Sequence, residues 1–127
     1  MKIVHYESVP SEEVRLEGAA GCRVRCLIGP DDRAPSFSMR QFEVAPGGHT
    51  PRHSHGYEHE VFVLDGEGEV LDGDDAHPLR AGSVVFVPPN RVHQFRNTGA
   101  SPLKFLCLIP HPMRGMVGDC VAACSCQ

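Results

Sequence analysis

Proline and glycine interrupt this chain at short intervals, which limits the length of any regular element that it can form. The 127 residues include 11 prolines and 13 glycines, and the segments between them are rich in β-branched, aromatic and aliphatic residues. Such segments, bounded by turn residues, are predicted as strands. They are 22–28, 37–44, 58–64, 68–71, 83–87, 93–96 and 103–109. Many short strands at regular spacing are typical of an all-β sandwich or barrel.

The segments between the predicted strands have the composition of turns, notably 45–48 (Ala-Pro-Gly-Gly) and 72–75 (Asp-Gly-Asp-Asp). No stretch between residues 20 and 110 has helical periodicity, and residues 11–17 favour no more than a short helical turn. The chain length fits one domain, since single domains are most often about 100–150 residues long.

The charge balance excludes several classes of partner. Twelve basic and sixteen acidic residues give a net charge of −4, and a chain without a basic stripe is not expected to bind nucleic acid. No stretch approaches the ~20 apolar residues of a membrane span, and residues 1–7 contain no apolar segment of a signal peptide. We therefore expect a cytoplasmic protein that binds neither nucleic acid nor membrane and acts on a small molecule.

Alternation along the predicted strands assigns their faces. In the last strand Lys104 should point to water, so the residues of opposite parity point inward: Leu103, Phe105, Cys107 and Ile109. In the strand before it, the polar Gln94 sets the faces in the same way and turns His93 and Phe95 inward. In the first strand, Cys22 and Cys26 are expected to face inward, because arginines alternate with them.

Four of the eight histidines form a spaced pattern. On an extended chain His53, His55 and His59 share one parity, so a strand would project all three to the same face. Neutral imidazole is a common ligand of first-row divalent metals. A solvated polar surface would show the same spacing, and a single inward histidine is more often a core residue than a ligand. With three others present, the inward His93 is better explained as a fourth ligand.

Around these histidines the sequence resembles the cupin superfamily. The first cupin motif, G(X)5HXH(X)3,4E(X)6G, is matched by Gly47, His53, His55 and Gly66, with His59 in place of the glutamate. The second motif, G(X)5PXG(X)2H(X)3N, is matched by Gly82, Pro88, His93 and Asn97, with Asn90 in place of the middle glycine. Asparagine tolerates the left-handed conformation that glycine would supply.

The resemblance covers residues 36–110 and implies a double-stranded β-helix, or jelly-roll, with the metal inside one end of the barrel. We therefore predict a cupin domain over residues 1–110, of the four-histidine subgroup, and a cysteine-containing extension over 111–127.

Glu60 is the rival of His59 for the third ligand position, since the motif allows four intervening residues. The interval to Gly66 and the strand parity both favour His59. A bulge near Gly56 would reverse the parity.

The predicted centre holds one divalent transition metal, and imidazole ligation suits Fe, Mn, Ni, Cu or Zn. Four neutral ligands leave its 2+ charge uncompensated, so it should attract anionic or enolisable oxygen donors. The candidate pocket wall consists of inward residues, for which core packing is the alternative: Phe95, Phe105, Cys107 and Ile109. Tyr57 is a candidate proton donor or gate, although a position on the pocket rim explains it as well.

These features favour a mononuclear non-heme metal oxidoreductase, dioxygenase-like, acting on a small organic substrate. A metal-dependent lyase, isomerase or cyclase is the alternative, as is a cupin that binds a small ligand without catalysis, because one fold hosts many functions.

Two further predictions concern assembly and the tail. A homodimer is expected, because unpaired sheet edges need covering, with strand 22–28 and the N-terminal residues as the candidate contact. The tail carries three cysteines that either form a flexible thiol-bearing extension or bind a soft metal: Cys120, Cys124 and Cys126.

Overall fold

The computed structural model describes residues 1–111, which form a curled antiparallel sheet, as predicted for an all-β barrel. Its strands, in chain order, are β1 (Glu12–Glu13), β2 (Ala20–Ile28), β3 (Phe37–His49), β4 (His59–Asp65), β5 (Glu67–Asp72), β6 (Asp75–Arg80), β7 (Val84–Val87), β8 (His93–Asn97) and β9 (Leu103–Pro110). Two short 3-10 turns occur at Tyr6–Ser8 and Pro30–Asp32. Within residues 1–111 no helix has the length and apolar character needed to span a membrane.

The strand order explains where the barrel opens. The main path through the sheet is β6-β5-β8-β3-β9-β4-β7, and β2 adds to β3 and carries β1 on its other edge. Strands β6 and β7 follow each other in the chain but lie at opposite ends of this path. In the described part of the chain β6 pairs with β5 and β7 pairs with β4, and no ladder joins β6 to β7. A seam between two strand edges therefore faces solvent.

The core lies inside the curled sheet. Burial alternates strictly along β9, and its inward residues are at most 1% exposed, which confirms the predicted faces of that strand. The ring of Phe105 stacks on Phe42, with 5.3 Å between centroids, and on Phe95, with 4.8 Å. On β2, Cys22 is 1% exposed as expected, whereas Cys26 is only half-buried.

Three predictions about local structure were wrong. The expected helical turn over residues 11–17 is instead the two-residue strand β1. Segment 45–48 does not end a strand, because β3 runs through it. The β2–β3 register changes from Cys22↔Val44 to Ala20↔His49, so the extra residues of β3 form a bulge. Strand β6 was not predicted, because its proline and the preceding acidic residues indicate a loop. The turn between β5 and β6 contains only Gly73 and Asp74.

Candidate metal centre

His53 and His55 lie in the loop between β3 and β4, not on one strand with His59 as the sequence predicted. A β-bridge fixes the first of them: the His53 N–H donates to the His93 carbonyl at 3.1 Å, and the His93 N–H donates to the His53 carbonyl at 2.9 Å. The loop is held a second time where the Asn90 N–H donates to the His55 carbonyl at 2.7 Å. Asn90 has φ +65°, the left-handed conformation expected for it.

The four imidazole rings converge although they come from a loop and two strand ends. Ring centroids lie 5.0 Å apart for His53–His55, His53–His93, His55–His93 and His59–His93, and 4.6 Å apart for His55–His59. One ligand atom from each of His53, His55 and His93 falls within 4.8 Å of the others. The Nε2 atom of His59 is 2.8 Å from Nε2 of His55. We refer to these four residues as the four-histidine cluster.

Backbone carbonyls determine which ring nitrogen is available for a metal. The Nδ1 of His55 contacts the Tyr57 carbonyl at 2.9 Å, and the Nδ1 of His93 contacts the Arg91 carbonyl at 2.8 Å. A carbonyl accepts only, so both Nδ1 atoms carry protons and both Nε2 atoms present lone pairs. The Nε2 of His93 is buried and has no hydrogen-bond partner in the part of the chain that the structure describes. A buried acceptor of this kind fits a bound cation.

Burial favours the neutral form of three imidazoles in the cluster. It lowers the pKa of His55 to about 4, with smaller contributions from the charges of His93 and His53. Burial, and then the neighbouring charge of Arg40, holds the pKa of His59 well below its usual range. Burial also lowers the pKa of His93. Since imidazole must be unprotonated to bind a metal, these three residues are prepared for metal binding at neutral pH.

Two buried side chains, Cys107 and Arg40, lie beside His59. The sequence predicted Cys107 as part of a pocket wall and gave no indication of Arg40. Cys107 Sγ is 3.0 Å from Nδ1 of His59, and Arg40, which is fully buried, donates from Nη2 to that sulfur at 3.1 Å. The same Nη2 is 3.4 Å from Nδ1 of His59. Burial raises the pKa of Cys107, which keeps it a thiol. Arg40 was missed because an arginine on an alternating strand is expected to face solvent.

Glu60 lies on the other face of β4 from His59. Its neighbours across the sheet are Phe86 on β7 and Leu108 on β9, and burial together with the adjacent Glu58 raises its pKa to about 7. His59, by contrast, is fully buried within the cluster.

A cavity of about 420 Å³ adjoins His93 at the seam between β6 and β7. Its walls come from β5, β6, β7 and the loop before β8, and they include the apolar residues Val70, Leu79, Val85 and Val87. Of the predicted pocket residues, Phe95, Phe105 and Ile109 do not line it, because they pack in the core. Sequence analysis missed three polar wall residues: Asp72, His77 and Arg91.

Tyr57 belongs to the surroundings of the cluster. Its ring stacks on His55 with 3.8 Å between centroids and 12° between planes, and it meets the His59 ring edge-on at 5.8 Å. It is partly buried against the core, which orients the His55 ring. Cys120, Cys124 and Cys126 lie outside the described residues.

Comparison with known proteins identifies the family. Residues 40–109, more than half of the chain, match the family model of the cupin domain. The chain belongs to the cupin family. This agrees with both sequence motifs, and the structures similar to this cupin confirm its jelly-roll β-barrel fold.

Several proteins are similar to this cupin over most of its length. Protein SchB of Streptomyces halstedii is 38% identical over 100 residues, which cover 77% of this chain and 69% of SchB. Polyketide synthase CurC of Streptomyces cyaneus is 37% identical over 116 residues, which cover 86% of this chain and 75% of CurC. The structure of the polyketide cyclase RemF from Streptomyces resistomycificus matches with a TM-score of 0.82 and 36% identity, covering 87% of this chain and 79% of RemF.

Proposed function

We propose that this cupin is a metal-dependent cyclase that closes a carbon ring in a polyketide. It would hold one divalent transition metal on the four-histidine cluster. The observation that carries the proposal is the position of this partly buried cluster next to a cavity of about 420 Å³, a size typical of small-molecule sites. The 36% identity to a polyketide cyclase over 87% of the chain supports the choice of reaction.

The ligand set suits this chemistry. Four neutral imidazoles leave the 2+ charge of the metal uncompensated, so the metal would polarise a substrate carbonyl and acidify the methylene group beside it. A carboxylate ligand would cancel half of that charge, and Glu60, the rival of His59 in the sequence motif, lies on the outer face of β4.

The reaction balances without a co-reactant. A methylene between two carbonyls loses its two hydrogens as protons, and its carbon forms a double bond to a more distant carbonyl carbon of the same chain. The oxygen of that carbonyl takes up the two protons and leaves as water. The substrate as a whole undergoes no net oxidation, so the reaction should proceed without dioxygen. The apolar wall formed by Val70, Leu79, Val85 and Val87 would exclude bulk water and favour a folded conformation of the polyketide.

The test uses a synthetic 3,5,7-tricarbonyl ester under nitrogen, with mass spectrometry of the products. The metal-loaded protein should accelerate loss of one water and ring closure over the metal-free protein, and His53→Ala should abolish the acceleration. The control variant His5→Ala, at an exposed site in the N-terminal segment, should behave as wild type. Equal rates with metal-loaded and metal-free protein would contradict the proposal.

The second candidate is the dioxygenase-like oxidoreductase predicted from the sequence. The imidazole-only cluster favours it, since such ligands also suit redox-active iron and copper. It requires oxygen uptake that is stoichiometric with substrate loss, whereas the cyclase requires none. Retained binding of small aromatic ligands without any turnover would instead indicate a binding protein.

A further inference from the structure

One wall of the cavity carries polar side chains that the metal centre does not use. Asp72, His77 and Arg91 line the same space as His93, opposite apolar residues of β7. Asp72 and His77 lie on the two strands of one hairpin, and Arg91 lies in the loop before β8. The fold brings the three together.

The strand registers place two of these residues on the inner face of the sheet. Asp72 lies directly opposite His93 in the β5–β8 ladder. Val70 lies opposite Phe95 in the same ladder and opposite His77 in the β5–β6 ladder. Directly opposite residues share a face, so Asp72 shares the face of His93, and His77 shares that of the buried Phe95.

Arg91 is oriented toward this wall from the loop before β8. It donates from Nη1 to Oδ1 of Asp72 at 2.8 Å, and both side chains are about half exposed. A guanidinium group carries five N–H donors, so this contact leaves others for a ligand. The carbonyl of Arg91 contacts Nδ1 of His93 at 2.8 Å, which fixes the residue next to the metal centre.

The charges of Arg91 and Asp72 offset each other, so the wall offers hydrogen-bond donors with little net positive charge. Such a surface suits a carbonyl or phenol oxygen better than a phosphate, whose two negative charges would meet the carboxylate of Asp72.

We propose that Arg91, together with His77, binds a neutral carbonyl or phenol oxygen of an otherwise apolar substrate, and that Asp72 selects against phosphate esters. The proposal rests on the proposed function in taking this cavity as the substrate site, and it names the substrate class: an uncharged polycarbonyl or phenolic molecule, not a sugar phosphate.

The test is equilibrium binding to metal-free protein of two probes of similar shape, 2-acetyl-1-naphthol and 1-naphthyl phosphate. Wild type should bind the neutral probe at least about tenfold more tightly. Arg91→Gln should weaken binding of the neutral probe about tenfold, since a hydrogen bond to a charged group contributes about that much. His77→Phe should weaken it to a smaller extent.

The matched controls come from a second arginine–aspartate pair nearby, Arg52 and Asp74, whose side chains are 2.7 Å apart and lie outside the cavity. Arg52→Gln should leave the binding of both probes unchanged. Asp72→Asn should strengthen binding of 1-naphthyl phosphate severalfold, while Asp74→Asn should not. Tighter binding of the phosphate by wild type, or equal effects of Arg91→Gln and Arg52→Gln, would overturn the proposal.

Measuring the metal-free protein separates this inference from the proposed function. If probe binding follows the expected pattern but the metal-loaded protein does not cyclise tricarbonyl esters, the subsite stands and the reaction is wrong. If cyclisation occurs but Arg91→Gln changes neither probe binding nor the KM for the ester, the reaction stands and the subsite is wrong. Cobalt titration of Arg91→Gln should still give the wild-type stoichiometry, which excludes an indirect effect through His93.

Discussion

The Nε2 atoms of His55 and His59 lie 2.8 Å apart, and their neighbours determine which of them carries a proton in the metal-free protein. His55 donates its Nδ1 proton to the Tyr57 carbonyl, so its Nε2 accepts. His59 therefore donates from Nε2, and its Nδ1 accepts from Cys107 or Arg40. A metal bound through Nε2 of His59 has to displace that proton, which then requires an acceptor at Nδ1.

The first prediction concerns the third ligand. His59→Ala should weaken metal binding by more than about 100-fold, because even residues that only support a ligand contribute about 10–100-fold. Glu60→Ala should leave affinity and stoichiometry unchanged, since Glu60 lies on the opposite face of β4. Competition titration with a chromogenic chelator measures both. A larger loss in Glu60→Ala than in His59→Ala would move the site to the glutamate arrangement.

The second prediction concerns Cys107 and the proton on His59. When Nε2 binds a metal, Nδ1 carries the proton and needs an acceptor, and the sulfur of Cys107 at 3.0 Å can accept while Arg40 cannot. Cys107→Ala should therefore weaken metal binding about tenfold, and Cys107→Ser should restore part of it. Cys22→Ala is the matched control, because Cys22 is also a buried free thiol. Equal affinities in the two alanine variants would show that Cys107 only fills space.

The third prediction concerns acid stability of the metal-free protein. Burial lowers the pKa of His55 from 6.5 to about 4, so the unfolded chain binds more protons than the folded chain between these values. The contribution of His55 to the free energy of unfolding is fully present above about pH 6.5. It should fall as pH decreases toward about 4. Urea unfolding at successive pH values measures this. His55→Gln should make the profile less steep, and the exposed His5→Gln should not. Superimposable profiles for wild type and His55→Gln would contradict the assignment.

Strand alternation and motif spacing could be read from the sequence because both depend on local geometry. Lys104 sets the faces of β9, and the fixed intervals around His53 and His93 identify the family. The route by which the histidines converge could not be predicted, because it depends on the backbone bridge between His53 in the β3–β4 loop and His93 on β8.

The residues that line the cavity could not be predicted from the sequence either, for a related reason. Asp72 and His93 share a wall through the register of β5 with β8, and a register between strands that are distant in the sequence has no local signal. The buried Arg40 breaks the rule that charged residues on alternating strands face water, and such exceptions concentrate at functional sites.

The fourth prediction separates core from pocket. Phe105 is fully buried and stacks on Phe42 and Phe95, so Phe105→Leu should lower the free energy of unfolding by about 1–3 kcal/mol without changing the affinity of cavity probes. Val85→Phe should weaken the binding of cavity probes and leave the free energy of unfolding nearly unchanged, because Val85 lines the cavity. Chemical denaturation and probe titration of both variants decide this. Loss of probe binding in Phe105→Leu at unchanged stability would restore the pocket role predicted from the sequence.

The fifth prediction is the homodimer. Large apolar side chains on the outer face of β4 and β7 are exposed: Val84 at 75%, Phe86 at 58% and Phe62 at 46%. This surface is a stronger candidate for the dimer contact than β2, where Ile28 is 38% exposed. Light scattering at micromolar concentration should give twice the chain mass. Phe86→Asp should give monomers and Ile28→Asp should not. A monomeric wild type, or dissociation by Ile28→Asp alone, would contradict this.

The central claim is that one metal ion binds to four imidazoles, and X-ray absorption spectroscopy of the cobalt-loaded protein tests it most directly. The protein is freed of metal, titrated with cobalt to saturation, and measured at pH 7. The account predicts one cobalt per chain and a coordination shell fitted by four imidazole nitrogens, reduced to three in His59→Ala if metal is retained. Binding of less than one equivalent, or a shell with fewer imidazoles and a carboxylate in wild type, would contradict it.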